Sequence, residues 1–163
     1  MNLDAALQTF IAESRELLAD MENALLTIEH SADRGEAVNA IFRATHTIKG
    51  SAGLFGLDHV VAFTHVVESV LDEVRDGRLE IADELIVLLL SCCDHLADLN
   101  DRLEGGQIEA DEDTERNGRP LLAQLGRYLD APAGPGTAVS VAPEPLAQVE
   151  RIERRGDGDA GDL

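Results

Sequence analysis

His46-Thr47-Ile48-Lys49-Gly50-Ser51-Ala52-Gly53 is the stretch from which the rest of the chain can be read. Ile41, Thr45, Ile48, Ala52 and Phe55 recur three and four apart through it, the spacing of an apolar helix face. His46, Lys49, Gly50 and Gly53 fall close together on a neighbouring stripe, roughly 100° away. One side therefore suits a core. The other offers an imidazole, an ammonium and a patch without side chains. A glycine inside a helix costs roughly 1 kcal/mol against alanine, so two of them ask for a reason. Close approach by another molecule supplies one.

Outward from this stretch the chain reads as helices separated by polar breaks. Residues 3–29 predict a long amphipathic helix through Leu3, Leu7, Phe10, Ser14, Leu17, Met21, Ala24 and Ile28, widened by Ile11, Leu18 and Leu25. A second helix is expected over about 36–55, after a break at Ser31–Gly35, with Gly56 as its stop. Asp58 is expected to cap a third, ending near Gly77, with Val60, Thr64, Val67, Leu71 and Val74 inward. His65 and Glu68 share its adjacent stripe at i,i+3 spacing. A fourth helix, about 82–104, would bury Leu85, Leu89, Cys92, Leu96, Leu99 and Leu103. Asp94, Asp98 and Asp101 mark its wet side, and His95 is placed among them as a solvated or satisfied histidine. Ile108–Gly118 reads as an acidic connection, and Pro120 as the first residue of a short fifth helix. From Ala131 onward prolines and glycines predict a linker or disordered tail. The expected fold is all-α: an antiparallel up-down four-helix bundle with a short fifth helix, 1–130 as one domain and 131–163 as flexible tail.

Composition narrows the function. The net charge is −19, which disfavours nucleic acid and anionic membrane surfaces as partners. Aromatics are 3% of residues and Trp is absent, so base-stacking platforms are not expected. The longest apolar run is about half the ~18 residues of a membrane span, and no membrane insertion is expected. Cys92 and Cys93 are adjacent, a spacing that suits neither a mutual bridge nor a metal, and they read as small buried residues in a reducing compartment. A cytoplasmic location is the expectation. Of the 13 basic residues Lys49 is the sole lysine, so a compact point charge is singled out three residues after His46.

A hairpin folded at Gly56 brings His46 level with a position between His65 and Glu68. His46, Lys49, His65 and Glu68 then form one exposed cluster. Phe42-Arg43-Ala44-Thr45-His46-Thr47-Ile48-Lys49-Gly50-Ser51-Ala52-Gly53 resembles the phosphoacceptor helix of histidine phosphotransfer (HPt) domains, most of all those of the CheA type. His65-Val66-Val67-Glu68 is similar to the His-x-x-Glu that supports the phosphoacceptor in that type. The resemblance covers about residues 1–130.

It implies that His46 is the phosphoacceptor, that Glu68 orients it, that Lys49 offsets phosphoryl charge and that His65 adds a supporting hydrogen bond. A phosphohistidine needs one ring nitrogen free as nucleophile and the other held by an acceptor, which these roles satisfy. Gly50 and Gly53 would border the partner contact. The resemblance further implies ATP on a separate kinase domain, in cis or in trans, with no cofactor in this chain. CheY-like and CheB-like receiver domains would take the phosphoryl group. The chain would then be a fragment of a protein histidine kinase or a free-standing phosphorelay protein. A helical interaction module without phosphochemistry is the reading from another class. No metal site is expected: His46, His65 and Glu68 lack a tight chelating pair, and a lysine sits beside them. No P-loop or other Gly-rich phosphate loop marks an ATP site.

Overall fold

The computed structural model describes residues 3–130; the expected tail at 131–163 lies outside the described residues. Five α-helices follow one another: α1 Leu3–Thr27, extended by a 3-10 turn at Ile28–His30; α2 Arg34–Leu54; α3 Asp58–Arg75; α4 Asp83–Glu104; and α5 Glu112–Asp130. Among the described residues there is no strand. α1 packs against both α2 and α4, α2 against α3, and α3 against α4, which closes a ring of four helices. Short connections reverse the chain at each step, giving the expected up-down bundle.

The apolar stripes meet along the axis. Phe10, Ile11, Leu18, Met21, Leu25 and Ile28 come from α1 and its extension, and Val38, Ile41, Ala44, Ile48 and Ala52 from α2. Val60, Phe63, Val67, Val70 and Leu71 of α3 join the same core as Leu85, Leu89, Cys92, Leu96, Leu99 and Leu103 of α4. Both cysteines are free and buried, and burial pushes each thiol up to about 12, far from reactive thiolate character.

The helix ends fix where the chain turns. At the end of α2, Leu57 N–H donates to the Ala52 carbonyl and Gly56 N–H to that of Gly53. Gly56 has φ of 67°, a left-handed conformation that glycine adopts without a Cβ penalty. The same closure recurs at Gly77 and Gly106. Asp33 caps the start of α2, its side chain accepting from Glu36 N–H at 3.0 Å.

Three local expectations are corrected. Asp58 is the first residue of α3 and Leu57 its cap. Leu57 is buried as the closing residue of the α2 turn, and its carbonyl accepts from both Val60 and Val61 N–H, so no side-chain cap is needed. α5 begins at Glu112, well before Pro120, and is 19 residues long. Asp111 and Thr114 start it by exchanging bonds: Thr114 N–H donates to Asp111 Oδ1 and Asp111 N–H to Thr114 Oγ1, both at 2.9 Å. Pro120 is carried inside the helix, on an exposed position.

His95 is not on a wet face. It is buried, its ring centroid 4.7 Å from that of Phe63. Gly118 of α5 covers it so closely that an added Cβ would stand 3.0 Å from Nε2. Sequence spacing put His95 among aspartates; the docking of α5 turns that side of α4 into an interface. The groove between α3, α4 and α5, about 230 Å³, is lined by His59, Phe63, His95, Leu99, Thr114 and Gly118, among others.

Burial lowers the pKa of His95 below the ordinary 6.5; Asp98 opposes this, while Arg102 and His59 add to it. The unfolded chain thus takes up this proton at higher pH than the folded one. The stability due to neutral His95 is complete above 6.5 and lost as pH falls through the lower folded value. Thermal unfolding between pH 7.5 and 5.5 should therefore show a Tm that drops with pH, and a His95→Leu chain should show a shallower drop. An unchanged slope in that variant would assign the effect to other groups.

Candidate functional site

α2 and α3 form an antiparallel pair whose turn is centred on Leu57. His46 and Glu68 lie equally far from Leu57 along the chain, and so do Asn39 and Arg75. Register alone thus places each pair opposite. The expected hairpin is present, with its centre one residue later than Gly56.

Glu68 is the fixed point. It comes from the inner edge of α3 and is only 8% exposed. Its Oε2 lies 2.6 Å from His46 Nδ1, and its Oε1 accepts from Lys49 Nζ at 2.5 Å. The His46 side chain stands outward with 64% of its surface exposed, while that of Lys49 lies along the groove with 24% exposed. Burial acts to raise the Glu68 pKa, but the hydrogen bonds from Lys49 and His46 outweigh it and hold the carboxyl below 4.5. Glu68 is therefore a carboxylate and can only accept. His46 Nδ1 must then carry the proton, and in the neutral ring Nε2 keeps its lone pair free. A lysine in place of a bulk counterion also avoids leaving a buried charge uncompensated.

Two further groups join this cluster that the sequence reading passed over. The Phe42 ring stacks on His46 at 6.4 Å between centroids with 6° between planes. Arg75 lies over Phe42, its guanidinium carbon 4.1 Å from the ring centroid, and donates from Nε to Asn39 Oδ1 at 2.9 Å. Phe42 precedes His46 by one helical turn, so the i,i+4 rule was the signal available for it.

Of the expected site residues, the structure joins His46, Lys49 and Glu68. His65 is exposed, and among the described residues its side chain has no hydrogen-bond or ion-pair partner. Gly50 and Gly53 are both exposed beside His46. A Cβ added at Gly50 would meet nothing within 4 Å, and one at Gly53 would touch only Val61 Cγ2 at 4.0 Å. Neither glycine is required by packing among the described residues. Among the described residues no group of three or more His, Cys, Asp or Glu side chains is placed to hold a metal ion. No described helix is long and apolar enough to cross a membrane.

A bundle of this topology with a proud, carboxylate-held histidine is the arrangement of a phosphotransfer domain. The Hpt domain family model matches residues 5–106, and the chain belongs to that family, the histidine phosphotransfer domains. Among curated relatives, the chemotaxis protein CheA of Rhizobium meliloti (strain 1021) is 40% identical over 126 residues, covering 77% of this chain and 16% of that protein. CheA of Klebsiella aerogenes is 36% identical over 158 residues, 96% of this chain and 24% of the relative. CheA of Salmonella typhimurium (strain LT2) is 44% identical over 94 residues, 58% of this chain and 14% of the relative. The chain thus spans a quarter or less of the length of these proteins. Among solved structures, the phosphorylated P1 domain of CheA3 in complex with CheY6 from R. sphaeroides superposes with a TM-score of 0.68 at 25% identity, covering 77% of this chain and 98% of that one.

If Gly50 is kept for an outside partner, the domain itself should gain from losing it. Gly50→Ala is expected to raise unfolding stability by up to about 1 kcal/mol in denaturant titration. A destabilised Gly50→Ala chain would show that the glycine serves the fold.

Proposed function

We propose that His46 accepts a phosphoryl group at Nε2 from ATP held by the kinase domain of a CheA-type protein and passes it to an aspartate of a receiver domain. The observation that carries this reading is the Glu68–His46 hydrogen bond, which leaves Nε2 free and pointing outward. In the first step the Nε2 lone pair forms the N–P bond, the γ-phosphoryl bond to ADP breaks, and its electron pair leaves with ADP. The ring gains positive charge as this happens, and the carboxylate on Nδ1–H stabilises it. No proton has to leave Nε2. In the second step a receiver carboxylate oxygen attacks phosphorus and the N–P electron pair returns to Nε2.

Lys49 offsets phosphoryl charge near the acceptor and keeps Glu68 ionised. His65 lies level with Lys49 across the helix pair and is free to donate to the phosphoryl group once it is present. Gly50 and Gly53 form a flat border over which a receiver can approach. The relatives' role in chemotaxis supports CheY-like and CheB-like receivers as partners, and the likeness to a P1 domain in complex with CheY6 supports the first of these. ATP is bound elsewhere, on a kinase domain in cis or in trans, and the parent chain is a protein histidine kinase acting in the cytoplasm. Residues 1–130 act as the phosphotransfer domain. The contact with a receiver is small and transient, below ~1,200 Å².

Incubating the chain with a CheA-type kinase core and labelled ATP should place acid-labile, base-stable label on it. His46→Gln should remove all of it, while substitutions of His30, His59 and His95 should not. Added receiver should then discharge the labelled chain, and Gly53→Glu, still fully helical, should discharge more slowly by opposing the receiver's acidic pocket. Label persisting on His46→Gln would end the reading.

A further inference from the structure

The Glu68 hydrogen bond fixes the tautomer of His46 and the direction of Nδ1, but one bond leaves a ring free to rock about its own axis. With 64% of its side chain exposed, His46 has little packing to stop that motion. Nε2 lies on the far side of the ring from Nδ1, so rocking swings its lone pair away from any fixed line of attack. Positioning within a fraction of an ångström matters steeply for such a displacement.

The second restraint is Phe42. Its ring is nearly parallel to the imidazole, 6° between planes, with centroids 6.4 Å apart, an offset stack within the favoured range. Phe42 is itself only half-buried, and it is held in turn by Arg75 at 4.1 Å, a cation–π contact. Arg75 is anchored from both helices. Asn39 of α2 accepts from its Nε at 2.9 Å, and Asp72 of α3 pairs with its Nη1 at 3.7 Å. A planar guanidinium with donors in a fixed fork suits all three contacts at once, and an ammonium does not.

We infer that Phe42 and Arg75 are positioning residues for phosphorylation: with Asn39 they form a brace along the α2/α3 groove that holds the plane of the His46 ring, as Glu68 holds its direction. The inference rests on His46 being the phosphoacceptor. A brace of this kind acts on the reacting ring and not on kinase docking, so it should show in the rate of the chemical step. Its loss should also set the ring moving in the free chain, where no kinase is present.

Two measurements on the full chain test this. Carbon relaxation of the His46 ring should show larger-amplitude motion in Phe42→Leu than in the unmodified chain, with the Nδ1–H tautomer kept. Phosphorylation by a CheA-type kinase core should fall roughly 3- to 10-fold in kcat with KM unchanged, the size expected for one aromatic stack. Phe42→Tyr should restore both ring order and rate, and Arg75→Lys should reproduce part of the loss. Helix content and Tm are recorded for each variant, so that a merely unfolded protein is recognised; Phe42→Tyr then carries the comparison, because it keeps the ring. Unmodified ring order and rate in a folded Phe42→Leu chain would overturn the brace. His46→Gln, run alongside, separates the two ideas: label on it defeats the acceptor assignment, whereas no label on it together with a fully active Phe42→Leu defeats the brace alone.

Discussion

A carboxylate taken out of water has to be paired, and the α2/α3 half of this bundle is arranged so that Glu68 is paired twice. Its two oxygens receive Lys49 and His46 from the facing helix, so one buried charge ties α2 to α3 and sets the state of the histidine. The pairing works only in one register. That register is centred on Leu57, and it is set where Gly56 adopts a left-handed conformation and the Ala52 and Gly53 carbonyls are satisfied by the turn. A slip of one residue in the hairpin would carry Glu68 some 100° away around its helix relative to its partners and strand it. The core underneath, from Ile41, Ile48 and Ala52 to Val60, Phe63 and Val67, holds the two helices at the separation the pair requires.

The glycines and the histidine answer to different demands. Gly118 is a packing glycine, since a methyl group there would press on His95. Gly56 is a conformational glycine. Gly50 and Gly53 are neither: they are helical, exposed and roomy, and they follow His46 along the same helix. Giving up helix stability at two positions about one turn apart, beside the proposed phosphoacceptor, fits the partner contact proposed for them.

Much of this is legible in the sequence. The 3-4 spacing of Phe10, Met21, Ile48 and Leu89 with their neighbours specified helices and their inner faces, because burial of an apolar stripe dominates local choices. His46, Lys49 and Glu68 could be brought together by counting outward from a single turn. What spacing could not reveal depended on contacts between elements distant in sequence. His95 looked wet until α5 was laid across it. The start of α5 was hidden because Pro120 is a strong signal and the Asp111–Thr114 exchange, with Thr in the usual Glu place, is a weak one. Phe42 has no role assignable from spacing alone, and only the arrival of Arg75 from α3 gives it a part in the site. His65 was placed in the cluster by its shared stripe with Glu68, yet its side chain stays in solvent because the inward positions opposite α2 belong to Glu68.

The chemistry proposed for this site depends on the protonation of one ring. Nitrogen NMR of the isotopically labelled chain, at a pH where His46 is neutral, reads which nitrogen carries the proton. The Glu68 hydrogen bond predicts Nδ1 protonated and Nε2 with the shift of a bare, lone-pair nitrogen. Nε2 protonated and Nδ1 bare would contradict it, because the nitrogen facing solvent would then have no lone pair to offer a phosphoryl group.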